Sequence, residues 1–135
     1  MLLPVTTITT ITLAVWYVVL TMRVIDARRA SGVAIGDGGD ELLVRRMRGQ
    51  ANFAENVPIT LLVLLVAEMQ PVTVFADAFP IALAGAALAF TAGRVLHGYA
   101  FCFTEQWVFG RMWGMLLTFA AQIALIVLAV FASLA

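Results

Sequence analysis

Four apolar runs, over residues 3–22, 51–69, 78–96 and 112–134, dominate the chain and leave few folds open to it. A bilayer core about 30 Å thick is crossed by roughly 20 residues of apolar helix, and each run meets that length. Hydrophobic residues make up 63% of the 135 positions and charged residues 12%. A soluble domain of this size has too much surface for its volume to hide that much apolar area. The expectation is one all-α membrane domain over residues 1–135, a bundle of four transmembrane helices. The first run lacks a basic segment before it and is followed by Arg23 rather than a small-residue cleavage site, so it reads as a retained span.

The charges orient the bundle. The formal net charge is zero, which gives no sign of a nucleic-acid partner, and every basic residue is an arginine. Arg23, Arg28, Arg29, Arg45, Arg46 and Arg48 lie between the first two spans, and Arg94 and Arg111 lie around the third loop. The connection between spans two and three, EMQPVTVFAD, has no basic residue. Cytoplasmic loops carry the arginine excess, so loops 23–50 and 97–111 are expected in the cytoplasm and both termini on the opposite side. In a bacterium this is an inner-membrane protein with periplasmic termini. Cys102 is the single cysteine, which excludes an internal disulfide and any multi-cysteine metal site. With one histidine besides, no metal site is expected. The glycines and aspartates of GVAIGDGGDE make a turn-rich linker, and Asp40 suits the N-cap of a helix that runs on into the second span. GDGGD lacks the Lys and Ser/Thr of a phosphate loop.

That second helix carries RGQANFAENVP. Arg48, Asn52 and Glu55 are spaced i, i+4, i+7 and share one face, which Arg45 extends toward the cytosol. Ionisable groups at membrane depth face protein or water, not lipid. Pro58 removes a backbone hydrogen bond and crowds the carbonyl of Ala54, so a bend and a cavity are expected one turn past Glu55. Two readings of the stripe stand side by side: an interhelical polar clamp, or a pocket for a charged ligand.

A second cluster, GRVLHGYAFCFTEQWVFGR, closes span three and opens span four. Arg94, His97 and Phe101 share a face. His97 and Tyr99 carry groups suited to hydrogen bonding and proton transfer. Trp107 and Trp113 read as an interfacial aromatic belt and Cys102 as an inert thiol.

Together these residues resemble the membrane-associated proteins in eicosanoid and glutathione metabolism, the MAPEG superfamily. The family pattern of an Arg, an Asn four residues on, a Glu three further and a Pro three further is met by Arg48, Asn52, Glu55 and Pro58. The pair Arg28–Arg29, the GRVLHGYA stretch and the four-span plan also fit, and the GDGG loop resembles the bacterial branch. The resemblance implies a homotrimer of four-helix bundles with glutathione, the cosubstrate, at each subunit interface near the cytoplasmic side. It implies glutathione contacts from Arg48, Asn52 and Glu55, with Arg28, Arg94 and His97 in the same binding group. It implies catalytic parts for Tyr99, for Arg111 as the arginine that stabilises the thiolate, and for Arg29 near the thiol or product. Asn56, Val95 and Phe101 stand where one branch or another has tyrosine, so those branches' particular substrates are not implied.

The chemistry is coherent on its own terms. Glutathione has two carboxylates, an ammonium and a thiol. Arginines suit carboxylates, and Glu55 suits the ammonium. A thiol of pKa about 8.5 is drawn toward neutrality by a nearby guanidinium, and its thiolate can attack a lipophilic electrophile that arrives from the lipid. Glutathione transferase or peroxidase chemistry is the leading expectation. The alternatives are a non-catalytic protein on the same scaffold, binding lipid or a partner protein, and a small transporter whose path the stripe lines.

Overall fold

The computed structural model describes residues 3–73, 75–105 and 107–134. They form four long helices: α1 Pro4–Ser31, α2 Glu41–Met69, α3 Ala78–Cys102 and α4 Val108–Leu134. Each is long and apolar enough to cross a membrane. The helices outrun the apolar stretches that announced them. α1 passes Met22 and continues through Arg28 and Arg29, and α3 passes Leu96 and continues through Tyr99. Residues 23–31 and 97–102 of the cytoplasmic connections are therefore helical, and the helix expected from Asp40 into the second span is present as α2. Lipid demands apolar side chains, but a helix outside lipid demands only that its backbone be satisfied, and arginines in a last turn complement its carbonyl end.

Local chemistry sets the turns between helices. Gly32 ends α1 in the left-handed conformation at φ 69°, and the Val33 N–H donates to the Arg28 carbonyl at 3.2 Å. The Asp40 carboxylate accepts from the Leu43 N–H at 2.8 Å and starts α2, as its position suggested. At the other end of the bundle α1 has no side-chain cap of its own. Glu68, near the end of α2, accepts from the Val5 and Thr6 N–H groups at 2.8 and 2.7 Å. One carboxylate thus closes the N-terminus of α1 and ties it to α2.

α2 and α3 form the centre of the bundle, each packing on the other three helices, whereas α1 and α4 do not come together among the described residues. Glycines permit this. A Cβ on Gly93 would lie 2.9 Å from the Thr118 backbone nitrogen, and one on Gly114 would lie 2.7 Å from that of His97. α3 and α4 therefore approach backbone to backbone, the close packing that small residues allow in membranes. The apolar core forms one cluster around Leu13, Leu20, Phe53 and Phe90 and another around Leu64, Phe79, Leu83 and Leu125. Ile8, Val15, Ile81, Leu88, Ile123 and Val127 stay exposed on the outer faces, where lipid would cover them.

Candidate functional site

The α2 stripe forms one wall of a pocket of about 310 Å³. Arg48, Asn52 and Glu55 face His97 and Phe101 of α3 and Met115 of α4. Arg48 and Glu55 are exposed, Asn52 is half-buried and His97 is buried. The His97 ring packs on Phe101 with centroids 4.9 Å apart, and the Arg111 guanidinium lies 4.3 Å over the same Phe101 ring. Arg111 also lines a larger cavity of about 620 Å³ toward the loops, together with Glu41, Arg45 and Glu105. It therefore stands between the two spaces.

Arg94 lies beneath the first pocket and is 1% exposed. Its three donor nitrogens all have neutral partners. Nη1 donates to Asn52 Oδ1 at 2.8 Å, Nε to Thr118 Oγ1 at 2.9 Å, and Nη2 to Met115 Sδ at 3.1 Å. The polar clamp between helices is thus made by Arg94 and Asn52, joining α2, α3 and α4. Arg48 and Glu55 are left on the pocket rim. From Asn52 a ladder of hydrogen bonds descends α2. Asn56 Nδ2 donates to the Asn52 carbonyl and Thr60 to the Asn56 carbonyl, each at 2.8 Å, and Gln122 of α4 donates to Thr60 at 2.8 Å.

The structure brings Arg48, Asn52, Glu55, Arg94 and His97 together, with Arg111 adjoining. It places Arg28, Arg29 and Tyr99 elsewhere in the chain. Arg28 Nη1 donates to the carbonyls of Val33, Ala34 and Gly36 at 3.4, 3.3 and 2.9 Å, which fastens the first loop. Arg29 is exposed in the last turn of α1. Tyr99 follows His97 by two residues, about 200° round the helix. It stacks on Phe103 at 5.2 Å and meets Trp107 edge-on at 6.3 Å. Phe103 in turn stacks on Trp16 at 5.9 Å and carries the Arg23 guanidinium at 4.6 Å. Cys102 is buried, its Sγ 3.7 Å from the Arg46 carbonyl.

α2 stays helical through Pro58. The cavity expected beside it is present, but it is an apolar one of about 340 Å³ between α1 and α2, with Tyr17, Phe53 and Ala54. It is not part of the polar pocket. Met115 and Thr118, which complete the seat of Arg94, went unnoticed in the sequence. The signal for them is the four-residue spacing of Gly110, Gly114 and Thr118, which marks the face of α4 that closes on α3.

Four membrane-length helices with a polar pocket at their arginine-rich end define a multi-pass membrane bundle. The chain belongs to the MAPEG family, whose model matches residues 6–131. That family includes glutathione transferases and non-catalytic members, and the protein is an integral, multi-pass membrane protein. Comparison with curated proteins finds no match.

Proposed function

We propose that this protein binds glutathione in the pocket of Arg48, Asn52, Glu55 and His97 and activates its thiol for attack on lipophilic electrophiles, as a membrane-bound transferase or peroxidase. The observation that carries the reading is the position of Arg48 and Glu55. Both are exposed on the rim of one concave space, next to a half-buried amide and a buried imidazole. Opposite charges about two helical turns apart match a peptide with carboxylates and an ammonium better than they match lipid. Arg48 takes a carboxylate and Glu55 the ammonium. Arg111, stacked over Phe101 at the edge of the pocket, supports the thiolate.

In the transfer reaction the thiol loses its proton, sulfur bonds to the electrophilic carbon, and the leaving group departs with the displaced electron pair. In the peroxidase reaction two glutathiones reduce a hydroperoxide to the alcohol and water and end as the disulfide. Tyr99, Arg28 and Arg29 lie away from this pocket within the chain. In this reading they act at a site shared by the subunits of a homotrimer. The arginine-rich end faces the cytoplasm by the positive-inside rule, where glutathione is available, and in a bacterium the membrane is the inner one.

The test is a titration of detergent-solubilised protein with glutathione, followed by the ultraviolet absorbance of the thiolate. Saturable thiolate formation is expected in the native protein and is lost or weakened about tenfold in Arg48→Ala and Glu55→Ala, the factor of about 1.4 kcal/mol. Unchanged affinity in both variants would sink the proposal. A non-catalytic role on the same scaffold has one observation in its favour, the placement of Tyr99 outside the pocket. Saturable binding with no turnover across small aromatic halides, epoxides and hydroperoxides would select it.

A further inference from the structure

We infer that Arg94 is a positioning residue that turns the Asn52 amide so that its NH₂ group faces the pocket, which makes position 52 a reader of hydrogen-bond acceptors on the ligand. This rests on the glutathione reading above and narrows it. On glutathione the acceptors are a carboxylate or a peptide carbonyl.

The geometry starts from what guanidinium can do. It is a donor only. The Asn52 atom 2.8 Å from Arg94 Nη1 is therefore the amide oxygen, and the nitrogen takes the other side. Asn52 lines the pocket, so two N–H donors are held at its wall. Without a fixed partner an asparagine amide can turn over and offer either atom. Here the partner is itself immobilised. Thr118 gives its hydroxyl proton to the Gly114 carbonyl at 2.7 Å, which leaves its oxygen free to accept from Arg94 Nε. Met115 Sδ holds the third nitrogen. The bare backbones at Gly93 and Gly114 let α4 come close enough for Thr118 to reach.

The choice of asparagine over aspartate also has a consequence. An aspartate at position 52 would pair with Arg94 and cancel its charge. Asparagine satisfies the donor and leaves the positive charge uncancelled below the pocket, where it favours an anionic ligand. A buried guanidinium is costly to desolvate, and three neutral acceptors offset that without neutralising it.

Asn52→Asp separates this idea from a purely structural one. The variant keeps the shape and gives Arg94 a charged partner, so it folds. It presents a carboxylate oxygen to the pocket in place of NH₂, and glutathione affinity falls by tenfold or more. Arg94→Met, an unbranched replacement of similar reach, frees the Asn52 amide and weakens binding by a similar factor. The double variant Asn52→Ala/Arg94→Met binds no worse than Asn52→Ala alone, because Arg94 acts through Asn52.

The chain has only two asparagines, Asn52 and Asn56. Asparagine-selective nitrogen labelling therefore gives two side-chain NH₂ signals by NMR. The one missing in Asn52→Ala should move when glutathione is added, and should move in Arg94→Met without ligand. Native affinity in a folded Asn52→Asp overturns the inference. So do multiplicative effects in the double variant, which would put Arg94 in direct contact with the ligand. Should Arg94→Met not fold, Asn52→Asp decides alone. Absence of saturable glutathione binding in the native protein overturns the glutathione reading itself, whereas native binding that survives Asn52→Asp overturns only the assignment made here.

Discussion

The two ends of the bundle manage their charges differently. At the end where α1 meets α2 and α3 meets α4, guanidiniums serve carbonyls. Arg23 Nε donates to the Cys102 carbonyl at 3.3 Å, Arg45 to that of Thr104, and Arg46 to that of Arg23 at 2.9 Å. The Cys102 and Thr104 carbonyls lie at and just past the C-terminal end of α3, its negative end, whereas the Arg23 carbonyl lies two turns inside α1. At the far end a single carboxylate, Glu68, serves the positive N-terminus of α1 above an apolar cluster. Subtracting the charges engaged in this way is informative. Arg23, Arg28, Arg45, Arg46, Arg94 and Glu68 all hydrogen-bond within the bundle, while Arg48 and Glu55 line the pocket and Arg111, stacked on Phe101, lines with Arg45 the larger cavity beside it. The proposed ligand site thus falls at the arginine end, while at the far end Glu68 is engaged in tying α1 to α2.

The largest effect should come from forcing the helices apart where the two roles meet. Gly93→Leu puts a side chain where the Thr118 and Gly114 backbones now lie within 3.0 Å of a Cβ. Backbone cannot step aside as a side-chain tip can, so the α3–α4 seam opens and the seat of Arg94 is lost. A destabilisation of about 3 kcal/mol together with loss of glutathione binding is expected, read by unfolding in mixed detergent and by titration. Native binding in this variant would mean that the pocket does not depend on the seam.

Leu64→Ala makes the contrasting change at the far end. Leu64 is 1% exposed in the apolar cluster. Truncation should destabilise by about 2 kcal/mol, the low end for a buried leucine, because lipid tails are as apolar as the side chain removed and lost contacts make up most of the change. Glutathione affinity per folded molecule should not move. A matching loss of affinity would erase the division between the ends.

Arg48→Ala reverses that pattern: affinity falls about tenfold while the unfolding midpoint stays where it was, since the side chain is exposed on the pocket rim. A lowered midpoint with native affinity would restore the clamp reading for this residue.

How much of this was legible in the sequence follows from what each feature depends on. The four spans, the Asp40 cap and the shared face of Arg48, Asn52 and Glu55 depend on local rules, a hydrophobic length, a side-chain acceptor and a 100° step, and the chain obeys them. The helix ends were misjudged because hydropathy measures the length in lipid, not the length of helix. Tyr99 is implied by the resemblance, and two residues of helix turn it to another face from His97, so within one chain it does not reach the pocket. Arg94 was expected among the ligand contacts. Its burial depends on Gly93, Gly114 and Thr118 coming together across α3 and α4, which no single stretch reveals. Pro58 was expected to shape the polar pocket, and lies instead on the α1 side of α2.

The smallest effect expected is at Glu68. Glu68→Gln keeps one acceptor for the Val5 and Thr6 N–H groups and loses the second along with the negative charge at the α1 N-terminus. Caps and terminal charges of this kind contribute about 0.5–1 kcal/mol. A lowering of that size in the unfolding free energy is expected at neutral pH, with glutathione titration unchanged. The result bears on the comparison because Glu68 lies at the opposite end of α2 from Arg48, on the same continuous helix. If removing its charge altered affinity at the arginine end, α2 would be transmitting strain along its length, and the two ends would be one coupled unit.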